Sequence, residues 1–144
     1  MLSTTDRIEI LQLHARYCAC LDTGDAQGWA RCFTVDGEFG VCNMHRGRDR
    51  LAVHCADVVA RRRANPWDNV QHWNGNIIVE GGAGRDHAMS YPATLGRQRD
   101  SGAQAIVANG WYRDTLAQED GAWKLSSRRI AFETPASVII PQRC

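Results

Sequence analysis

The sequence is first informative for what it lacks. No apolar stretch approaches the roughly 20 residues of a membrane-spanning helix, so no membrane partner is expected. Residues 1–7 are polar and pass directly into an amphipathic pattern without a secretory-type apolar segment, which predicts a cytoplasmic protein. An excess of one charge is also missing. The 17 Lys+Arg and 16 Asp+Glu leave a formal net charge of +1, which gives no basic field to attract nucleic acid. The short basic clusters at 46–50 and 61–63 read as solvated loop and helix-end charge. Internal repeats, low-complexity tracts and linkers are absent, so residues 1–144 read as a single domain.

The usual catalytic and cofactor signatures are missing as well. Six cysteines are present, at 18, 20, 32, 42, 55 and 144. None forms a CxxC or stands at zinc-site spacing from a histidine, so they read as reduced, mostly small core residues. His14, His45, His54 and His87 make no HxH or HExxH pattern, and no metal is expected. There is no GxSxG, P-loop or GxGxxG preceding a helix. The glycine-rich run at 81–84 reads as a turn between strands. No cofactor is therefore expected.

The elements divide into two halves. A first helix starts near residues 3–5, where Ser3 and Asp6 resemble a capping box, and runs to Asp22 before the stop at Gly24. Asp25 caps a second helix over 27–33, Asp36-Gly37 reads as a turn, and 38–42 as a strand. A third helix spans 48–63, with Leu51, Val53, Ala56, Val58 and Val59 as its apolar positions and Pro66 beyond its end. Strands follow at 70–80, 87–97, 105–118 and 122–133, the last two joined by the hairpin turn Asp120-Gly121. Three helices followed by a run of antiparallel strands argue an α+β fold, a cone-shaped curved antiparallel sheet whose helices enclose a pocket.

Candidate site residues come from polar groups on faces that should turn inward. In the first helix Tyr17 and Asp22 lie about 140° apart on the wheel. The arc between them holds Ile10, Leu11, His14, Cys18 and Leu21. An inward carboxylate needs a partner; alternatively Asp22 caps the following turn. His72 shares a strand face with Val70, Asn74, Asn76 and Ile78, which is polar for a core strand and suggests a lined pocket. The opposite parity would put Trp73, Ile77 and Val79 inside. Arg128 and Arg129 face opposite ways, so one points inward and needs a carboxylate or serves as an anion clamp. Trp111 and Tyr112 divide in the same way, one to the cavity. Phe39, Asn74, Trp111 and Tyr112 are the candidate substrate-binding residues.

The stretches ARYCACLDTGDAQGWARCFTVDGEF, HWNGNIIVEG and GWYRDTLAQEDGAWKLSSRR, in this order, resemble the SnoaL-like branch of the nuclear transport factor 2-like superfamily from about Asp6 to Phe132. The site pattern is similar to that of the scytalone dehydratase, hexachlorocyclohexane dehydrochlorinase and bile-acid dehydratase group. That resemblance implies Asp22 and His72 as a general-base pair, with Tyr17 and Arg128 as catalytic helpers. Val41 stands where ketosteroid isomerases of this fold carry their base, and Leu21 replaces a tyrosine of scytalone dehydratase, with no obvious second histidine. The implied function is a cofactor-independent lyase or isomerase that abstracts a proton from carbon. The implied substrate is small, hydrophobic and cyclic or polyketide-like. Polyketide cyclase activity and a non-catalytic ligand-binding or subunit-interaction role are the alternatives. The resemblance also implies a homo-oligomer, a dimer or trimer.

Overall fold

The computed structural model describes residues 1–82 and 85–132. The expected turn at 81–84, the end of the last strand and Cys144 fall wholly or partly outside them. The chain order is α1 (Thr4–Thr23), α2 (Ala26–Ala30), β1 (Phe33–Gly40), β2 (Met44–Arg46), α3 (Arg48–Arg61), a 3-10 turn (Arg62–Ala64), β3 (Trp67–Gly82), β4 (Arg85–Gln98), β5 (Gln104–Glu119) and β6 (Ala122–Phe132). One six-stranded sheet has the order β2-β1-β6-β5-β4-β3. Its neighbours are antiparallel except β1 and β6, which run parallel. The fold is α+β, a curved sheet covered by three helices, and the sheet does not close into a barrel.

Local chemistry explains the boundaries. Ser3 accepts from the Asp6 backbone N–H while the Asp6 carboxylate accepts from that of Ser3, a reciprocal cap that starts α1. Gly24, at φ 78°, takes the left-handed position that ends it. Asp25 caps α2 through the Gly28 N–H. Asp120 and Gly121 both have positive φ, 53° and 74°, as a two-residue hairpin loop requires. By contrast Asp36-Gly37 makes no turn. It lies inside β1, where the pairing with β6 shifts register between Phe33 and Glu38. A Cβ on Gly37 would come within 2.8 Å of the Phe33 Cβ, so the sharp local path needs glycine.

The sheet curves because extra residues are inserted into it. β3 gains one residue on β4 between Asp68 and Gln71 and another between Gly75 and Ile78, and β5 gains one on β4. Each insertion bends and twists the strand. The second contains Asn76, at φ 51°, and it reverses the side-chain parity of β3. Before it, His72 points inward and Trp73 is exposed; after it, Val79 is buried and Ile78 exposed. Both parities considered for this strand are therefore present, one on each side of the bulge.

The core lies between the concave face and the helices, around Ile10, Tyr17, Trp29, Phe33, Leu51 and Leu125. Three apolar assignments are corrected here. Leu11, Val53 and Ala56 are exposed, and Leu13, Ala52 and Cys55 are buried in their helices instead. Cys18, Cys20, Cys32 and Cys55 are free thiols. Cys42, exposed after β1, is disulfide-bonded, which corrects the expectation of reduced cysteines at that position. Among the described residues, no helix is long and apolar enough to cross a membrane.

Candidate active site

The cavity between the helices and the concave sheet face has a volume of about 370 Å³. Aromatic and aliphatic side chains dominate its wall, including Tyr17, Trp29, Phe39, Tyr112 and Ile130. His72 enters it from β3. Behind His72, at the last turn of α1, Asp22 Oδ1 lies 2.6 Å from the ring Nδ1. The same carboxylate accepts the His72 backbone N–H, at 3.0 Å and 3.2 Å to its two oxygens. Double anchoring fixes ring and backbone together. A carboxylate at Nδ1 selects the tautomer with the proton there, which leaves the Nε2 lone pair available. Arg62 closes the rear, donating to the Leu21 carbonyl at 2.9 Å beside Asp22.

A second polar group lies deeper and has a different character. Arg128 is fully buried and forms a two-pronged pair with Asp114, Nε to Oδ1 at 2.7 Å and Nη2 to Oδ2 at 2.6 Å. Its guanidinium sits between two phenol rings, 4.2 Å from the Tyr17 centroid and 4.1 Å from that of Tyr112. Burial works against its charge, but Asp114 outweighs this and holds it above the ordinary arginine value. Burial drives the Tyr112 phenol up to about 12, partly offset by Arg128, and raises Tyr17 well above its usual range. Both phenols are therefore neutral.

His14 completes this buried group. Its Nδ1 lies 2.7 Å from Asn74 Nδ2 and 3.1 Å from Arg128 Nη2, so it accepts from both. Its Nε2 is 3.5 Å from Asp114 Oδ2. Burial, then the Arg128 charge, lower the His14 pKa to about 3. The ring is neutral, and its approach to Asp114 is a dipolar contact, not an ion pair.

Of the residues singled out from the sequence, Tyr17, Phe39, His72 and Tyr112 line the cavity, with Asp22 directly behind His72. Three of the others do not reach the cavity wall. Arg128 is the inward member of its pair, but its Nε and Nη2 are held by Asp114, its guanidinium is stacked behind Tyr17 and Tyr112, and it does not reach the cavity wall; its buried Nη1 is without a hydrogen-bond partner among the described residues. Asn74 is also absent from the wall because its amide is engaged by His14. Trp111 lies on the outer face against Tyr91, with ring centroids 4.1 Å apart, because alternation along β5 turns Tyr112 inward. From the sequence, His45 and His54 are weighed only as metal ligands, and Asp114 is not a candidate. His54 follows Leu51 by three residues on the inward stripe of α3, and Asp114 follows Tyr112 by two on β5. Those offsets carry the missing signal. No cluster of potential metal ligands occurs among the described residues.

Known proteins share this architecture. ActVI-ORFA from Streptomyces coelicolor superposes with a TM-score of 0.82 at 25% identity, over 91% of this chain and 97% of that one. A candidate scytalone dehydratase from Novosphingobium aromaticivorans gives 0.75 at 19% identity, over 97% and 95%, and bears on the fold alone. Among curated proteins, the beta 1 subunit of the terminal oxygenase component of terephthalate 1,2-dioxygenase from Comamonas is 25% identical over 135 residues, covering 85% of this chain and 88% of that subunit. The model of the SnoaL-like domain matches residues 3–129. The chain belongs to the SnoaL-like domain family.

Proposed function

We propose that this protein is a small-molecule enzyme of the lyase or isomerase type that uses the Asp22–His72 pair to remove a proton from carbon. The carrying observation is the 2.6 Å contact between His72 Nδ1 and Asp22 behind a largely apolar cavity. His72 Nε2 takes the proton, and Asp22 holds the ring tautomer and stabilises the imidazolium that forms. The released electron pair either expels a leaving group, as in a dehydration, or moves into an adjacent carbonyl as an enolate. A neutral phenol at Tyr17 is the available donor to the developing oxygen. Arg128 acts behind it by polarising and positioning Tyr17 and Tyr112. The substrate is small, hydrophobic and cyclic or polyketide-like, and ring closure in the manner of a polyketide cyclase uses the same first step.

A nitrogen-15 spectrum of the imidazoles tests the base without a known substrate. His72 is expected as the Nδ1–H tautomer in the wild type, with that preference lost in Asp22→Asn. A His72 ring protonated on Nε2 in the neutral wild type would sink the assignment.

A second reading, subunit association, is favoured by the dioxygenase beta-subunit similarity. The outer sheet face that would support it carries exposed Trp73, Tyr91 and Ile106. The same face would serve a homodimer or homotrimer. Light scattering of the wild type against Trp73→Ser with Tyr91→Ser separates these assemblies from a monomer.

A further inference from the structure

Besides His72, the cavity wall carries a second set of nitrogen groups, which the Asp22–His72 pair does not use. His45, His54 and Arg61 all reach the wall there. The His45 and His54 rings lie 4.1 Å apart at an interplanar angle of 34°. Phe39 and Trp29 back the His54 ring at 5.3 Å and 6.3 Å. Arg61 follows His54 by seven residues, about two helical turns, and so lies on nearly the same side of α3. Cys55 and Val58 fill the stripe between them.

None of the described residues lining the cavity is Asp or Glu. Among the described residues, the acid that acts on His54 is Asp57, which is exposed on α3 and outside the wall. Burial first, then His45 and Arg61, lower the His54 pKa to about 4. Near neutral pH the His54 ring is therefore uncharged and offers an N–H donor, while Arg61 brings a guanidinium charge to the same wall, so an anionic oxygen of a ligand finds a charge and hydrogen-bond donors there with no carboxylate lining the cavity to compete.

We propose that His45, His54 and Arg61 form an anion subsite that holds a carboxylate, or a comparable anionic oxygen, carried by an otherwise aromatic or polycyclic ligand. This rests on reading the cavity as the substrate pocket. It orients such a ligand with its charged end on α3 and its apolar body toward His72.

Isothermal titration of the full chain near neutral pH with 1-naphthoate and its uncharged analogue 1-naphthamide tests this directly. Naphthoate is expected to bind about tenfold more tightly, the scale of one charge-assisted hydrogen bond. Arg61→Gln, at an exposed helix position, and His54→Phe, within an aromatic cluster, should each weaken naphthoate by about fivefold and leave naphthamide nearly unchanged. His45→Asn serves as the alternative where His54→Phe does not fold. Equal affinities, tighter binding of naphthamide, no binding of either, or a preference that survives these substitutions overturns the subsite. His72→Asn should retain the preference while losing turnover. Full turnover in His72→Asn with the preference intact would sink the base alone, whereas lost turnover with no preference in any variant would sink the subsite alone.

Discussion

His14 and His72 each have an aspartate within reach, and they differ in what else that aspartate does. Asp114 is committed to Arg128 by two short hydrogen bonds, so His14 receives only a 3.5 Å approach and accepts from Asn74 and Arg128 on its other nitrogen. Among the described residues Asp22 has no paired hydrogen bonds to an arginine, and it gives one oxygen to the His72 ring at 2.6 Å. Exposure separates them further: the His14 side chain is 0% exposed, and that of His72 is 16% exposed. A histidine beside an aspartate is thus insufficient to mark a base. Competition for the carboxylate and access to a cavity decide which of two similar pairs can do chemistry and which only holds the core.

The largest expected effect falls on the buried pair. Asp114→Asn leaves Arg128 charged and without its partner, which should cost about 3–5 kcal/mol in chemical denaturation. A loss below about 1 kcal/mol would mean that the Arg128 charge is satisfied elsewhere. Next comes the cavity pair: His72→Asn or Asp22→Asn should lower turnover by roughly 10²–10⁴-fold with little change in unfolding midpoint. A large stability loss with intact turnover would exchange the roles assigned to the two pairs.

The pH dependence of stability gives the third contrast. Folded His14 is held at about 3 against an ordinary 6.5. Between those values the unfolded chain binds a proton that the folded chain refuses, so stability falls as the pH drops through this window. The slope from this one group is at most about 1.4 kcal/mol per pH unit. His54, lowered to about 4, contributes with the same sign over a narrower range. Urea denaturation from pH 7 downward should show the slope, and His14→Gln should flatten it. The smallest effect is Asn74→Ala, which removes one donor to His14 and should cost about 1 kcal/mol without changing turnover. A matching fall in turnover would join the two groups into one functional unit.

Much of the fold was legible because it rests on local rules. The Ser3–Asp6 cap, the Gly24 stop and the Asp120-Gly121 hairpin are each fixed by a few neighbouring residues. β2 was missed because three residues carry too little periodicity to register. The cavity side of the site was half legible. Alternation separated Arg128 from Arg129 and Trp111 from Tyr112 but could not say which member turned inward. Nor could it anticipate that Asp114 would neutralise Arg128, since that pairing depends on the register between β5 and β6. His72 and Val79 both turn inward despite opposite parity, because the bulge at Asn76 has no signature beyond an asparagine in a strand. The histidines on the α3 side were not legible as wall residues because their nearness to the cavity is set by helix packing, not by spacing along the chain.

The first turn of α1 is moored to the sheet in two places. Asp6 accepts from Trp123 Nε1 at 2.9 Å, and Arg7 donates to the Val79 carbonyl at 2.7 Å. Sixteen residues further on, about 24 Å along the same helix, stands Asp22. A stiff helix tied at several points along its length passes slack at one mooring to the others as a small change of angle. The aim of the carboxylate at His72 is therefore governed partly from the opposite end of the molecule, by a tryptophan and an arginine that never approach the cavity.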